Sequence, residues 1–352
     1  MARPLEKIAY HAAQRLRVSW YTGQKWLSAQ LTERVAASPE LRARMPERSR
    51  ILADLRALID QEWRNIEEGC YALPEDLVSR PLTALARAGR YFADLPVVDR
   101  RRRADANDEI FRATPPGDYP RYFLQNFHYQ TDGYLSRRSA ELYDHQVEVL
   151  FGGAADAMRR QALVPLRRVL RERGVRGARL IDLACGTGRF LREVKRNYPR
   201  LAVTALDLSP FYLDEARRAL APWPDAAFIA APAERVPLAD GSADVVTSIF
   251  LFHELPAKER RQVAREMGRL LVAGGAAILV DSIQLGDVPD YDALVEFFPQ
   301  AFHEPYYAQY AREDLVALFA AAGLTLEESR VAYFAKVMTL RKSDNSGHTD
   351  DR

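Results

Sequence analysis

The stretch Leu180-Ile181-Asp182-Leu183-Ala184-Cys185-Gly186-Thr187-Gly188-Arg189-Phe190 decides the fold. Its apolar run reads as a buried strand, and Gly186 and Gly188 then allow a sharp turn into an amphipathic helix beginning near Thr187. Hydrogen atoms in place of side chains at 186 and 188 leave room for a flat ligand to approach the main chain, so the loop is of a nucleotide-binding type.

Working outward from the loop, strand and helix patterns alternate to the end of the chain. A helix from Arg189 to Tyr198 leads into a strand from Ala202 to Leu206 that ends at Asp207. Ser209 caps the next helix, with Pro210 in its first turn, and that helix runs to Leu220. Phe228-Ile229 and Asp244 to Phe250 read as strands, Lys258 to Leu271 as a charged amphipathic helix, and Gly274-Gly275 as a turn. Ala277 to Val280 is a further buried strand, ending at Asp281. A helix from Arg312 to Ala322 stops at Gly323, and strands follow from Leu324 to Glu328 and from Ala332 to Leu340. The alternation predicts an α/β, Rossmann-like, mostly parallel seven-stranded sheet with helices on both faces and an antiparallel final hairpin.

Upstream the pattern is helical. Leu5, Ile8, Ala12, Leu16, Trp20, Leu27, Leu31 and Val35 form one helical stripe, which Gly23 can interrupt. With Trp26, Arg15, Arg17, Lys25 and Arg34 around it, this stripe either packs on its own domain or lies on a membrane surface. A second helix runs from Pro46 to Glu68 and stops at Gly69, and a third follows Pro81. Arg100-Arg101-Arg102-Arg103 is either a phosphate-contacting cluster or a solvated helix end. Thr114 to Pro120 reads as a linker, and Tyr122 to Tyr134 as an aromatic lid or connector. Helices from Ser139 to Leu150, carrying Tyr143, Asp144 and His145, and from Ala154 to Arg173 complete the chain. The expected domains are a helical one over 1–110, an aromatic linker, lid and helix over 111–150, the α/β domain over 151–342 and a disordered tail over 343–352.

At 352 residues the chain exceeds the roughly 250 to 300 residues at which single cores stop growing, so two units are expected. No apolar stretch approaches the ~18 residues of a membrane span. The N-terminus lacks a signal core, and Cys70 and Cys185 are the only cysteines, which places the chain in a reduced, cytoplasmic setting, peripheral to a membrane if the first helix binds one. A net charge of +2 gives no bulk field for nucleic acid, and no DNA partner is expected.

A glycine loop followed by an acid at the end of the next strand suits an adenosine, with backbone at one end and Asp207 on the ribose hydroxyls at the other. A dinucleotide would use the same layout, but Leu191 stands where its third glycine belongs, and the Asp182 carboxylate suits a cofactor carrying an amine. Ile181 to Gly188, with Asp207-Leu208-Ser209, Ala233 to Pro237, Asp240 to Val246 and Leu270 to Gly275, resembles the motif series of class I S-adenosylmethionine-dependent methyltransferases. Phe252-His253-Glu254-Leu255-Pro256 is similar to the ubiquinone/menaquinone C-methyltransferases, whose pattern does not include the N-terminal helices. The resemblance implies S-adenosylmethionine as cofactor. Asp182, Ala184, Cys185 and the Gly186-Thr187-Gly188 backbone would face its methionine part, Asp207 its ribose and Leu208 one adenine face. Pro232 stands where relatives carry an adenine-contacting Asp or Asn, so recognition passes to Ala233 and Glu234; Tyr143 joins the cofactor set. Ala184 replaces a glycine, which the turn tolerates at negative φ.

His253, at the carboxyl end of its strand, is the first candidate for a general base, and His303, in the insertion after Asp281, the second. His128 and His145 are weaker candidates, and the four histidines lack metal-ligand spacing, so no metal is expected. The expected activity is methyl transfer to an apolar or aromatic small molecule at oxygen or carbon, possible lipid-like or quinone-like acceptors included. The alternatives are an RNA methyltransferase using Arg100 to Arg103 and a non-catalytic adenosylmethionine-binding module.

Overall fold

A computed structural model describes residues 4–33, 35–75, 81–115 and 117–343. Arg34, Pro116 and the tail after 343 lie outside them. The chain forms two compact units, one of Met1–Arg160 with Ile283–Ala308 and one of Gln161–Ser282 with Gln309–Arg352. The division falls in a break between helices Ala155–Arg160 and Leu163–Arg173, where one continuous helix is expected from the sequence, and the insertion after the Asp281 strand joins the helical unit.

In the α/β unit seven strands form one sheet: β1 (Arg179–Leu183), β2 (Ala202–Asp207), β3 (Ala227–Ala230), β4 (Ala243–Ile249), β5 (Leu271–Ser282), β6 (Leu324–Ala332) and β7 (Ala335–Lys342). Their order is β3-β2-β1-β4-β5-β7-β6. The first five run parallel, and β7 enters antiparallel between β5 and β6. Leu180, Ile181, Val245, Val246, Ile278, Leu279 and Val280 are buried, as continuous apolar strands must be when helices cover both faces. Gly274-Gly275 is part of β5 rather than a free turn. Gly274 has φ +65°, and the β4–β5 register shifts between Ala243 and Val245, so the glycines form an irregularity at the strand's start. The chain builds outward from β1 through β2 to β3, then returns to the other side of β1 with β4. This reversal opens a crevice above the carboxyl ends of β1 and β4.

The helical unit contains Pro4–Leu31, Arg48–Glu67, Pro81–Ala104 and Arg137–Leu150, with Asp292–Ala301 from the insertion. The first helix is unbroken. Gly23 lies inside it, and the ~1 kcal/mol that one glycine costs does not interrupt so long a helix. This helix is turned over relative to its apolar stripe: Leu5, Leu16 and Leu31 are 77%, 73% and 61% exposed, while Tyr10, Gln14, Arg17, Gln24 and Ser28 are buried. The buried polar face is fully engaged. Tyr10 donates to Glu62 at 2.6 Å, Gln14 to Glu62 at 3.0 Å, and Arg17 pairs with Glu148 at 2.8 Å and Asp156 at 2.9 Å. The arginine run ends the Pro81–Ala104 helix, where Arg101 pairs with Glu109 at 2.7 Å, and Arg102 and Arg103 with Asp99 at 2.5 and 3.2 Å. Three of its guanidinium groups are thus neutralised within the fold.

Candidate active site

The glycine loop leaves β1 at the switch point. The Cys185 N–H donates to the Leu206 carbonyl at 2.9 Å, and the Gly188 N–H closes the turn on the Cys185 carbonyl at 3.0 Å. Gly188, at φ +73°, is the N-cap of helix Arg189–Asn197. Ala184 is not at negative φ: it takes +55°, a left-handed conformation that disfavours a Cβ, so the turn carries strain at this residue.

The two glycines serve different purposes. A Cβ on Gly186, at φ +56°, would meet nothing within 4 Å, so this residue opens onto free space. A Cβ on Gly188 would lie 3.0 Å from the Cα and Cβ of Ala216, so its missing side chain admits the helix Pro210–Ala219 rather than a ligand.

Asp207 ends β2 and is buried. Its Oδ2 accepts the Gly186 N–H at 2.8 Å and its Oδ1 the Ser209 N–H at 2.8 Å, which welds the acid to the loop and to the cap of the following helix. Each carboxylate oxygen retains a further lone pair. Asp182, two residues before the loop's strain point, is buried and accepts the Thr247 hydroxyl at 2.5 Å from the neighbouring strand. Burial pushes the Asp182 carboxyl up to about 7, with the Asp207 charge adding to it and the Thr247 hydrogen bond opposing it. Burial also raises Asp207 to about 6 against its backbone hydrogen bonds. The Cys185 thiol, raised by burial and then by both carboxylates, stays protonated. Two buried carboxylates beside open space ask for a cationic ligand.

Thr187 is buried in the loop, Leu208 is half-buried just after β2, and Ala233 and Glu234 lie in the turn after β3, next to β2 in the sheet. Tyr143 belongs to the other unit, on helix Arg137–Leu150, with its ring 6.1 Å from that of Tyr134.

His253 follows β4 in a short 3-10 turn and is buried. Its Nδ1 lies 2.6 Å from Asp281 Oδ1, at the carboxyl end of β5, and the other Asp281 oxygen accepts the Phe252 N–H at 2.7 Å. The sequence marks Asp281 only as a strand end. The signal for it is the one that singles out Asp207, an acid closing a parallel strand beside the switch point. His303 lies in the helical unit, its Nε2 3.1 Å from Gln125 Oε1, with burial lowering its pKa. In the same unit His128 meets the buried Glu304 at 2.8 Å, and His145 meets Gln24 at 2.8 Å. Burial, helped by the Arg87 charge, lowers His145 to about 4 and keeps it neutral.

Open backbone at Gly186, an acid closing β2 and a second buried acid at the switch point suit an adenosyl cofactor carrying positive charge. Residues 180–275 match the methyltransferase domain family. Over 147 residues the chain is 33% identical to a demethylmenaquinone methyltransferase of Thermotoga maritima, covering 42% of this chain and 59% of the relative. It is 27% identical over 203 residues to a malonyl-[acyl-carrier protein] O-methyltransferase of Geobacter sulfurreducens, covering 54% and 75%. A solved S-adenosylmethionine-dependent methyltransferase of Aquifex aeolicus superposes with a TM-score of 0.40 at 18% identity, covering 52% of this chain and 92% of that one. The chain thus spans 59% of the length of the Thermotoga relative. The α/β unit holds the segment that matches a methyltransferase domain, and its open Gly186 and two buried acids fit S-adenosylmethionine.

Proposed function

We propose that the protein methylates an apolar or aromatic small molecule at an oxygen or carbon acid, with His253 as the base and Asp281 as its positioning residue. S-adenosylmethionine, when bound, supplies a methyl group already activated on a sulfonium. The chain's own work is then to hold the acceptor in line and take its proton, and positioning can contribute roughly 7 to 11 kcal/mol. The observation that carries this reading is the 2.6 Å contact of His253 Nδ1 with the buried Asp281, which favours the tautomer protonated on Nδ1 and leaves Nε2 as the basic nitrogen. Asp182, Gly186 and Thr187 would face the methionine part, Asp207 the ribose, and Leu208, Ala233 and Glu234 the adenine. The test is turnover with labelled cofactor and fractionated small-molecule and lipid pools. H253N and D281N are expected to lower kcat tenfold or more with cofactor affinity unchanged, and D281N to shift the pH profile. A normal rate in H253N refutes the assignment of the base, and cofactor binding without turnover of any fraction favours a binding module.

A second reading concerns delivery. The outward Leu5, Ile8, Leu16, Trp26 and Leu31 of the first helix support contact with a membrane surface that carries a lipid-soluble acceptor. Among the described residues no helix is long and apolar enough to cross a membrane, so the contact would be interfacial. Co-sedimentation with anionic vesicles, lost in L16E/W26E, is the expected result; no binding at low salt refutes it. The RNA alternative draws no support from the arginine run, whose charges at 101 to 103 are paired internally.

A further inference from the structure

The turn that carries His253 is gripped from two directions within the α/β unit. Asp281 holds it by an N–H, its Oδ2 accepting from Phe252 while its Oδ1 meets His253 Nδ1. Arg260, on the helix Ala257–Leu270, holds it by its carbonyls: Nη1 donates to Leu255 at 2.5 Å and to Phe252 at 3.4 Å. The rest of the same guanidinium faces Glu313, whose Oε2 lies 2.9 Å from Nε and 2.7 Å from Nη2. Tyr310 stands between Arg260 and the histidine. Its ring centre is 5.9 Å from the guanidinium and 6.2 Å, edge-on, from the imidazole, and its hydroxyl donates at 2.5 Å to the carbonyl of Ser282, the chain neighbour of Asp281. The Glu313 N–H closes a turn on the Tyr310 carbonyl at 3.1 Å, so both side chains that flank Arg260 come from one turn.

Stability alone does not account for Arg260. It is 0% exposed, and apolar residues of similar volume often serve as well as a buried ion pair. It also sits in the first turn of its helix, where the dipole favours acids. What a rigid fork of donors supplies, and an apolar side chain does not, is fixed geometry among separate chain segments. That geometry matters because two carboxylates face the imidazole: Asp281 at 2.6 Å from Nδ1 and Glu254 at 4.0 Å from Nε2. Glu254 rides on the same turn as His253, and Asp281 does not. A turn that pivots therefore loosens the Asp281 contact, keeps Glu254 close, and moves the proton to Nε2, the nitrogen that a base must have empty. We propose that Arg260 is a positioning residue for His253, locking the 252–255 turn so that Nδ1 keeps its proton on Asp281 and Nε2 stays basic. This role rests on the reading of His253 as the base.

The test reads the resting protein, so it does not depend on an acceptor. The full chain is labelled with ¹⁵N-histidine, the His253 signals are identified by their loss in H253N, and the tautomer of the neutral ring is read by NMR. The wild type is expected to hold the Nδ1–H form in clear majority. R260M/E313Q removes both charges together, and the ratio of Nδ1–H to Nε2–H should fall at least threefold, with S-adenosylmethionine affinity by calorimetry unchanged as proof of fold. R260K, whose single ammonium cannot span the carbonyls and Glu313 at once, should show a smaller fall, and it decides the matter if the double variant does not bind cofactor. On whichever fraction the wild type methylates, kcat should drop at least tenfold in R260M/E313Q with the KM for S-adenosylmethionine unchanged. A wild-type ring protonated mainly on Nε2, or a tautomer ratio that stays the same in the variants, overturns the positioning role. Absence of turnover in the wild type instead refutes the proposed reaction and leaves the tautomer result standing.

Discussion

Replacing Asp182 by Asn should make the cofactor-free α/β unit more stable, and increasingly so as pH rises. A carboxyl whose pKa moves from 3.8 to about 7 on folding is a group whose charged form the fold disfavours. Its contribution is therefore fully present below pH 4 and lost as pH rises through about 7. At about 1.4 kcal/mol per pKa unit, the loss approaches about 4 kcal/mol above pH 8, of which about 2 to 3 kcal/mol falls between pH 5 and pH 8. Asn is neutral throughout, and its amide oxygen still accepts the Thr247 hydroxyl. Urea unfolding of the cofactor-free protein, followed by a probe in the α/β unit, should show the gap between D182N and wild type widening over that range. S-adenosylmethionine affinity should fall at least tenfold in the same variant, since a charge-assisted hydrogen bond is worth about 1.5–3 kcal/mol. A constant gap, or a variant less stable at pH 8, would show that Asp182 is an ionised, well-paired group and refute the reasoning.

The two loop glycines should separate affinity from stability. G188A drives a Cβ into Ala216 and should destabilise by about 1–3 kcal/mol in chemical denaturation, while G186A should lose cofactor affinity by more than its ~1 kcal/mol of backbone strain. A184G relieves a left-handed φ at the cost of a more mobile unfolded chain, and should gain about 0.5–1 kcal/mol in the same assay. His145, buried and neutral, should titrate near pH 4 by NMR, and the helical unit should weaken as pH falls from 6.5 towards that value. A His145 pKa at or above 6.5 would show that its burial is not as described.

The α/β half was legible because its signals are local. Apolar runs, the Ser209-Pro210 cap and the glycine loop each act over a few residues, whereas the order of the strands is set by pairing between distant segments. The helical half was legible in its elements but not in its facing. Periodicity marks a stripe on the first helix; it cannot show that Glu62, Glu148 and Asp156, brought in from distant helices, make the polar side the buried one. The short helices of 283–308 escaped for a similar reason: Asp292–Ala301 contains Pro299 and is held by Arg44, and the Tyr291 that precedes it by Asp54, both far away in the sequence. In the site, Asp207 was readable from its strand, whereas the His253–Asp281 contact joins residues on separate strand ends. Ala184 broke the expectation because φ in a loop is set by its hydrogen bonds to β2, not by the residue's own preference.

The position of β7 bears on how the molecule comes into being on the ribosome. It is the last strand in sequence yet lies inside the sheet, with β5 on one side and β6 on the other. While synthesis proceeds, β5 emerges with an open edge of unpaired N–H and C=O groups, and β6 has no neighbour to join until Ala335–Lys342 has left the exit tunnel. Until then the nascent sheet holds that edge exposed, the condition in which a strand can pair with another chain.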